Sequence, residues 1–365
     1  MNKRFFIAVF FVVLATGPSF SQQPYQKPVP EQKGSWSLVM VPDLQNYVKW
    51  GRNQPIMDLM MAWIADNIDT LNIKMVMGVG DLIENDEKIT TDDDGDQTTR
   101  SQWQAVSSAF AKLDGKVPYI AATGNHDYTI DKAGNRSSHY SEFFTPDKSH
   151  LNQKILVQNT RNEQGRPTLE NAAYEIKGLN GKDYLFMTVE DGPRDTVLAW
   201  AKKVTALEQY KNHRVILSTH EYLSTKDVRT TEEITWLYWE PYNINNVIQK
   251  SSRIKVPHSN NGEQIWKKLV EPSSNIEMVL CGHLSGEGYR VDKNQAGKPV
   301  HQILLDAQSM GGGNGGDGWL RILEFFPDGK TVRVKTFSPL FGASPTTRQF
   351  AWKKDPRNDF KISFE

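Results

Sequence analysis

Cysteine is nearly missing from this sequence. Cys281 stands alone in 365 residues, so no internal disulfide can form. Net charge is missing as well: 43 basic and 43 acidic side chains cancel, leaving no electrostatic footprint for nucleic acid or a charged membrane face. No stretch reaches the roughly 18 apolar residues of a membrane span. No internal repeat and no Pro/Gly/Ser linker divides the chain. The glycine-rich stretch Gly311 to Gly318 lacks the closing Gly-Lys-Ser/Thr of a phosphate-cradling loop and reads as a flexible connection. No local Ser–His–Asp or Cys–His arrangement offers a nucleophile. Stability must therefore come from burial and from bound groups. A hydrophobic content of 38% and an aromatic content of 10% suit a globular core.

The amino terminus carries a basic start, Lys3-Arg4, then an apolar run from Phe5 to Gly17, then Ser19-Phe20-Ser21. That order is a signal peptide over residues 1–21, with cleavage expected after Ser21; the alternative is an uncut membrane anchor. Export to the periplasm or beyond follows as an expectation. Residues 22–34 are Pro- and Gln-rich and read as a flexible lead-in to one domain over 35–365. Cys281 closes the apolar run Ile276 to Cys281, where a packed small hydrophobe is expected.

The periodicity predicts an α/β chain. Trp36 to Val41 is an apolar strand. Ile56, Leu59, Met60, Trp63, Ile64, Ile68 and Leu71 form a helical stripe behind Pro55. Lys74 to Gly80 is a second strand running into Asp81. Trp103, Val106, Phe110 and Leu113 mark a second helix, and Val117 to Thr123 a third strand. Strand, helix, strand, helix, strand implies parallel pairing with helices outside. Residues 128–170 read as an irregular insert with a helix near Tyr140–Phe144. A hairpin is expected across Asn180-Gly181, a helix over Val197–Leu207, strands at Val215–Thr219 and Ile276–Cys281, and hairpins beyond. Asp92, Asp93, Asp94 and Asp96 form an acidic loop whose spacing departs from the calcium-binding pattern and reads as solvated.

Five of these strands end in polar tips: Asp43 with Gln45, Asp81, Asn125 with His126, His220, and His283. Ligands of open α/β sheets bind outside such ends. Carboxylate, amide oxygen and imidazole are the donors that a hard-to-borderline divalent cation takes.

In this order Gly80-Asp81, Gly124-Asn125-His126-Asp127, His220 and Gly282-His283 resemble the calcineurin-like metallophosphoesterases, the superfamily that includes purple acid phosphatases. The resemblance covers nearly all of residues 35–365. It implies a β-sandwich flanked by helices, an α/β/β/α stack with a two-metal centre at the strand ends. It implies that Asp81 bridges two metals, that Asn125, His220 and His283 complete one site, and that Asp43 holds the other. His126 takes the place of the catalytic histidine. Two positions depart from the family pattern. Asp43-Leu44-Gln45 replaces Asp-x-His, and His283-Leu284-Ser285 replaces His-x-His. Both fall on the first-metal site, where Gln45 still offers an amide oxygen; that site either holds an oxygen-loving cation, recruits Glu287 or Asp306, or stands empty much of the time. One tight cation (Zn, Fe or Mn) and one weaker (Mn, Mg or Ca) are therefore expected.

The chemistry expected is hydrolysis of a small phosphate mono- or diester by metal-activated water, with His126 as acid. Asp127 either orients that imidazole or caps the turn. Trp236, Tyr238, Trp239 and Tyr242 form either a stacking wall for substrate or packing beneath a long loop. Two other classes compete: a binding protein on the same fold with a damaged metal site, and a carbohydrate-active protein with a structural metal.

Overall fold

The computed structural model describes residues 26–87, 95–130, 135–231 and 259–365, together with the backbone of the two-residue strands Tyr238–Trp239 and Ile254–Lys255. The expected signal peptide lies outside these residues, as do Asp92, Asp93 and Asp94 of the acidic loop. Among the described residues, no helix is long and apolar enough to cross a membrane.

The architecture is mixed α/β. Six strands carry the candidate site: β1 (Trp36–Val41), β2 (Ile73–Gly78), β3 (Tyr119–Ala121), β4 (Arg214–Ser218), β5 (Ile276–Cys281) and β6 (Pro299–Asp306). They belong to two seven-stranded sheets. In the first, β1, β2 and β3 run parallel, and Leu320–Phe325 pairs antiparallel with β1. Thr331–Phe337 comes next, with Trp352–Lys353 and Asp359–Ser363 both on its free edge. In the second, β6, β5, β4 and Lys182–Thr188 run parallel. Gly286–Lys293 flanks this block antiparallel on one side, and Pro167–Leu179 then Leu156–Arg161 on the other.

The strand sequences explain this placement. Strands buried on both faces read as unbroken apolar runs, and β1 is buried at all six residues. In β5 the side chains alternate between two clusters. Met278 and Leu280 face the core shared by both sheets, while Val279 and Cys281 face the helices outside. Cys281 is thus a buried packing residue whose Sγ lies 3.5 Å from the Ile303 carbonyl. The shared core is aromatic at its centre. Trp36 stacks on Phe325 at 4.0 Å and meets Tyr184 of the second sheet edge-on at 5.0 Å. Each such pair contributes about 0.5–1.5 kcal/mol beyond its area.

Helix α1 (Gln54–Asp66) lays Met57, Met60, Met61 and Ile64 on the first sheet, and Pro55 occupies its first turn. Ile68 and Leu71 of the expected stripe fall beyond its end. Helix α2 (Thr99–Phe110) starts at Thr98, whose Oγ1 accepts from Ser101 N. Helix α3 (Asp195–Thr205) buries Val197, Leu198, Ala201 and Val204 against the outer face of the second sheet. The insert is more ordered than its sequence suggests, since Leu156–Arg161 adds an edge strand.

Candidate metal centre

The carboxyl ends of the two sheets are stitched together where the polar tips emerge. Ser218 Oγ donates to the Gly78 carbonyl at 3.0 Å, and the His283 backbone N–H donates to Asp43 Oδ1 at 2.9 Å. The glycines before the tips permit this approach. A Cβ on Gly124 would stand 2.2 Å from Asp81 Oδ1, and one on Gly282 would stand 2.4 Å from Asp43 Oδ2. Asp81 and His283 hold left-handed backbone, with φ of 48° and 76°. Non-glycine residues hold that conformation only where their surroundings over-determine it, and such residues cluster at functional sites.

His220 is the hub. Its Nδ1 donates to the Val79 carbonyl at 2.8 Å, which commits that ring proton and turns Nε2 inward. Around Nε2 stand Asn125 Oδ1 at 3.0 Å, Asp81 Oδ1 at 3.1 Å and His283 Nδ1 at 3.2 Å. One proton on Nε2 serves one of these three acceptors; a cation at their centre serves all four atoms. Ligands held tetrahedrally at about 2.1 Å stand about 3.4 Å apart, close to the spacing seen. Asp81, His220 and His283 bring their donor atoms within 4.8 Å of one another. The ring's far side agrees, because His283 Nε2 is buried without a hydrogen-bond partner and lies 3.8 Å from the Glu221 carboxylate. A carboxylate behind a ligating imidazole is the usual outer support of a metal site. These four residues fit a divalent cation.

The electrostatics describe the same centre. Burial opposes a charged His220, but Asp81, with Asp43 and Asp191 behind it, raises the imidazole well above its usual range. Burial likewise opposes ionisation of Asp81, yet His220 and then His126 hold its carboxyl below the usual range. Burial, followed by the His220 charge, pushes His283 down to about 3, so that ring stays neutral and able to ligate.

The other corner is built differently. Asp43 is fully buried, and burial, then Asp306, raises its carboxyl well above the usual range. Gln45 departs from the expectation of an oxygen ligand. It presents its amide nitrogen, donating to Asp81 Oδ2 at 2.9 Å and also to Gln308 Oε1. Ser285 turns away to Asp306, with Oγ donating to Oδ2 at 3.0 Å. Burial pushes Asp306 up to about 6. Glu287 is not recruited, because Lys353 and Asn358 hold it elsewhere. These residues do not fit a second cation as they stand.

His126 sits at the rim with its side chain 18% exposed. Its Nδ1 contacts the Glu84 carbonyl at 2.7 Å, and its backbone N–H donates to Asp81 Oδ1 at 3.0 Å. Burial would lower this imidazole, but Asp81 and then Glu84 raise it. Of the two roles expected for Asp127, the structure assigns the cap. Its carboxylate accepts from Gly124 N, Leu82 N and Ile83 N at 2.7, 3.1 and 3.0 Å, which closes the turn. The aromatic side chains at 236, 238, 239 and 242 lie outside the described residues; only the backbone pairing of Tyr238–Trp239 with Ile254–Lys255 is defined there.

Sequence reasoning missed Gln308 and Glu84. Gln308 follows the apolar run of β6 and is a sixth polar strand tip, so the signal that found the other five was present. Glu84 acts on His126 through its backbone carbonyl, which any residue supplies, and through a carboxylate 3.8 Å from Nδ1 that no local pattern announces.

No family model matches the chain. It is 29% identical over 323 residues to the uncharacterized protein YvnB of Bacillus subtilis strain 168. That alignment takes in 86% of this chain and 21% of the relative, so the chain spans about a fifth of the relative's length. Among solved structures, GAP50, titled the anchor in the inner membrane complex of Plasmodium, aligns with a TM-score of 0.47 at 12% identity. That alignment covers 91% of this chain and 90% of that one.

Proposed function

We propose that the chain is a metal-dependent phosphoesterase of the calcineurin-like type, its two sheets and outer helices forming the α/β/β/α stack of that superfamily. The observation that carries this reading is His220 Nε2, ringed by Asp81, Asn125 and His283 at 3.0–3.2 Å. The substrate class is a small phosphate mono- or diester. Export is part of the reading and is supported by the basic, apolar and small-residue order of residues 1–21.

When bound, a divalent cation supplies Lewis acidity: it offsets charge on phosphoryl oxygens and makes water acidic enough to attack near neutral pH. Asp81, Asn125, His220 and His283 would hold that cation. The Val79 carbonyl fixes the His220 ring from behind, and the Glu221 carboxylate stands 3.8 Å behind His283 Nε2. His126 supplies the proton for the leaving oxygen. With Nδ1 committed to the Glu84 carbonyl, that proton travels from Nε2, and the nearby Asp81 and Glu84 carboxylates favour the charged ring that carries it. Asp127 holds the turn that aims His126.

A second reading has an observation of its own. Gln45 and Ser285 stand where the superfamily places imidazoles, which favours a binding protein without turnover. One assay separates the two: hydrolysis of p-nitrophenyl phosphate and bis(p-nitrophenyl) phosphate by protein loaded with Zn²⁺ or Mn²⁺, against chelated protein. Turnover that returns with metal and disappears in His126→Ala supports the enzyme. Metal-loaded protein with no turnover on either ester would sink it in favour of the binding protein.

A further inference from the structure

We infer that a pair of glutamine amides, Gln45 and Gln308, closes the second cation position, so that this centre works with one metal ion. The inference rests on the phosphoesterase reading above and departs from the two-cation centre that reading inherits.

The clasp is a chain of directed hydrogen bonds. Gln45 Nε2 donates to Asp81 Oδ2 at 2.9 Å and to Gln308 Oε1. Gln308 Nε2 donates in turn to Asp306 Oδ2 at 2.8 Å, and its backbone N–H donates to Asp306 Oδ1 at 2.8 Å. Ser285 Oγ adds a third donor to Asp306, and Asn46 Nδ2 donates to the Gln308 carbonyl at 3.3 Å. Both ends of the chain are buried carboxylates, so both amides must present nitrogen toward an acid. The orientation of each amide is therefore set by the network and not by choice of label. Turning Gln45 over would set its oxygen against both Asp81 Oδ2 and Gln308 Oε1.

A carboxylate that bridges two metals through both of its oxygens needs both of them free. Here Asp81 Oδ1 faces the His220 corner, while Oδ2 is occupied by an N–H. A neutral donor thus stands where a second positive charge is expected. Asp43, Asp81 and Asp306 do not gather their oxygens as Asp81, His220 and His283 gather theirs. Among the described residues, the latter three form the group of acidic, histidine or cysteine side chains whose donor atoms converge within 4.8 Å. Two buried acceptors, Asp43 Oδ2 and Gln45 Oε1, are left over without partners. They are the atoms a second cation takes once the clasp is opened. Gln308 is the latch, because it alone joins Gln45 to Asp306 among the described contacts.

The test is Mn²⁺ loading of the full chain, with metal equivalents counted after equilibrium dialysis and the Mn²⁺ electron paramagnetic resonance spectrum recorded. The wild type is expected to hold one equivalent with the spectrum of an isolated ion. Gln45→Glu replaces the donor by a carboxylate of the same shape, and Gln308→Ala removes the latch. Either variant is expected to take up a second equivalent and show a spin-coupled pair. Two equivalents and a coupled spectrum in the wild type would overturn the clasp while leaving the phosphoesterase reading intact. Variants that stay at one equivalent would overturn it as well. No bound metal in any of the three proteins would instead remove the metal centre on which both readings stand.

Discussion

Two corners of one centre, both assembled from strand ends, are built from opposite chemistry. The His220 corner turns two imidazoles, an amide oxygen and a carboxylate oxygen toward one point, with one ring proton to share among three acceptors. The Gln45 corner alternates donor and acceptor, so its polar groups largely satisfy one another. Buried acceptors short of donors are costly unless a cation completes them, whereas the donor–acceptor chain leaves only Asp43 Oδ2 and Gln45 Oε1 without partners. The difference lies in three side chains, Gln45, Ser285 and Gln308. It teaches that ligand residues must be read by the atom they present: glutamine beside a carboxylate presents nitrogen and becomes a barrier to metal.

The sharpest way to break the comparison is at the rim, outside both corners. His126→Ala should lower turnover by roughly two to four orders of magnitude. Metal content should stay at the wild-type level, because no ligand is lost. Joint measurement of kcat and bound metal decides this; a variant that loses metal and activity in proportion would make His126 a ligand.

Next in size is His283→Ala, which strips the acceptor corner. Metal affinity should fall by at least the roughly 100-fold that loss of outer-shell partners costs. The Gln45 corner, whose hydrogen bonds form without metal, should be untouched. Competition with a fluorescent chelator measures the affinity, and an unchanged value would contradict the acceptor corner as the binding site.

A smaller effect is expected from Asp127→Asn, which loses part of a three-donor cap. Stability should fall by about 1–3 kcal/mol, since at least one buried N–H is left unpaired. The plateau of kcat should hold while its pH profile moves slightly to lower pH, because Asp127 raises His126 through charge, behind Asp81 and Glu84. Denaturant unfolding and a pH–rate series check the two halves separately, and a lowered plateau would restore Asp127 to an orienting role.

The smallest effect sharpens the account through protons. In the metal-free protein the raised His220 is charged at neutral pH, and ligation requires it neutral. Each cation bound should release about one proton, so affinity should rise about tenfold per pH unit while His220 stays protonated in the free form. Without metal the sign for stability is the reverse. A histidine raised by folding contributes below its unfolded value near 6.5, and that contribution is lost as pH climbs through the higher folded value. Calorimetric titration in buffers of different ionisation enthalpy would show the proton; a buffer-independent heat would contradict it.

Much of this centre was legible because burial and polarity change sharply at a strand tip. Asp43, Asp81, Asn125, His220 and His283 each follow an apolar run that the sheets bury completely or nearly so. The parallel β1, β2 and β3 followed from their alternation with helices. What stayed hidden depended on tertiary partners. The strand over Leu156–Arg161 is polar and half-exposed at a sheet edge, so no apolar alternation announced it. The hairpin from Gly286 to Asp306 was recognisable, but not that its second strand also extends the parallel block beside β5. Gln45 was legible as a site residue, yet which end of its amide faces Asp81 is set by Gln308, 263 positions away in sequence.

The most direct measurement is anomalous diffraction at the metal edge from crystals grown with Mn²⁺. The account predicts one peak, enclosed by Asp81 Oδ1, Asn125 Oδ1, His220 Nε2 and His283 Nδ1, with the Gln45–Gln308 bond intact beside it. A second peak between Asp43 and Asp81, with Gln45 turned to offer its oxygen, would contradict it.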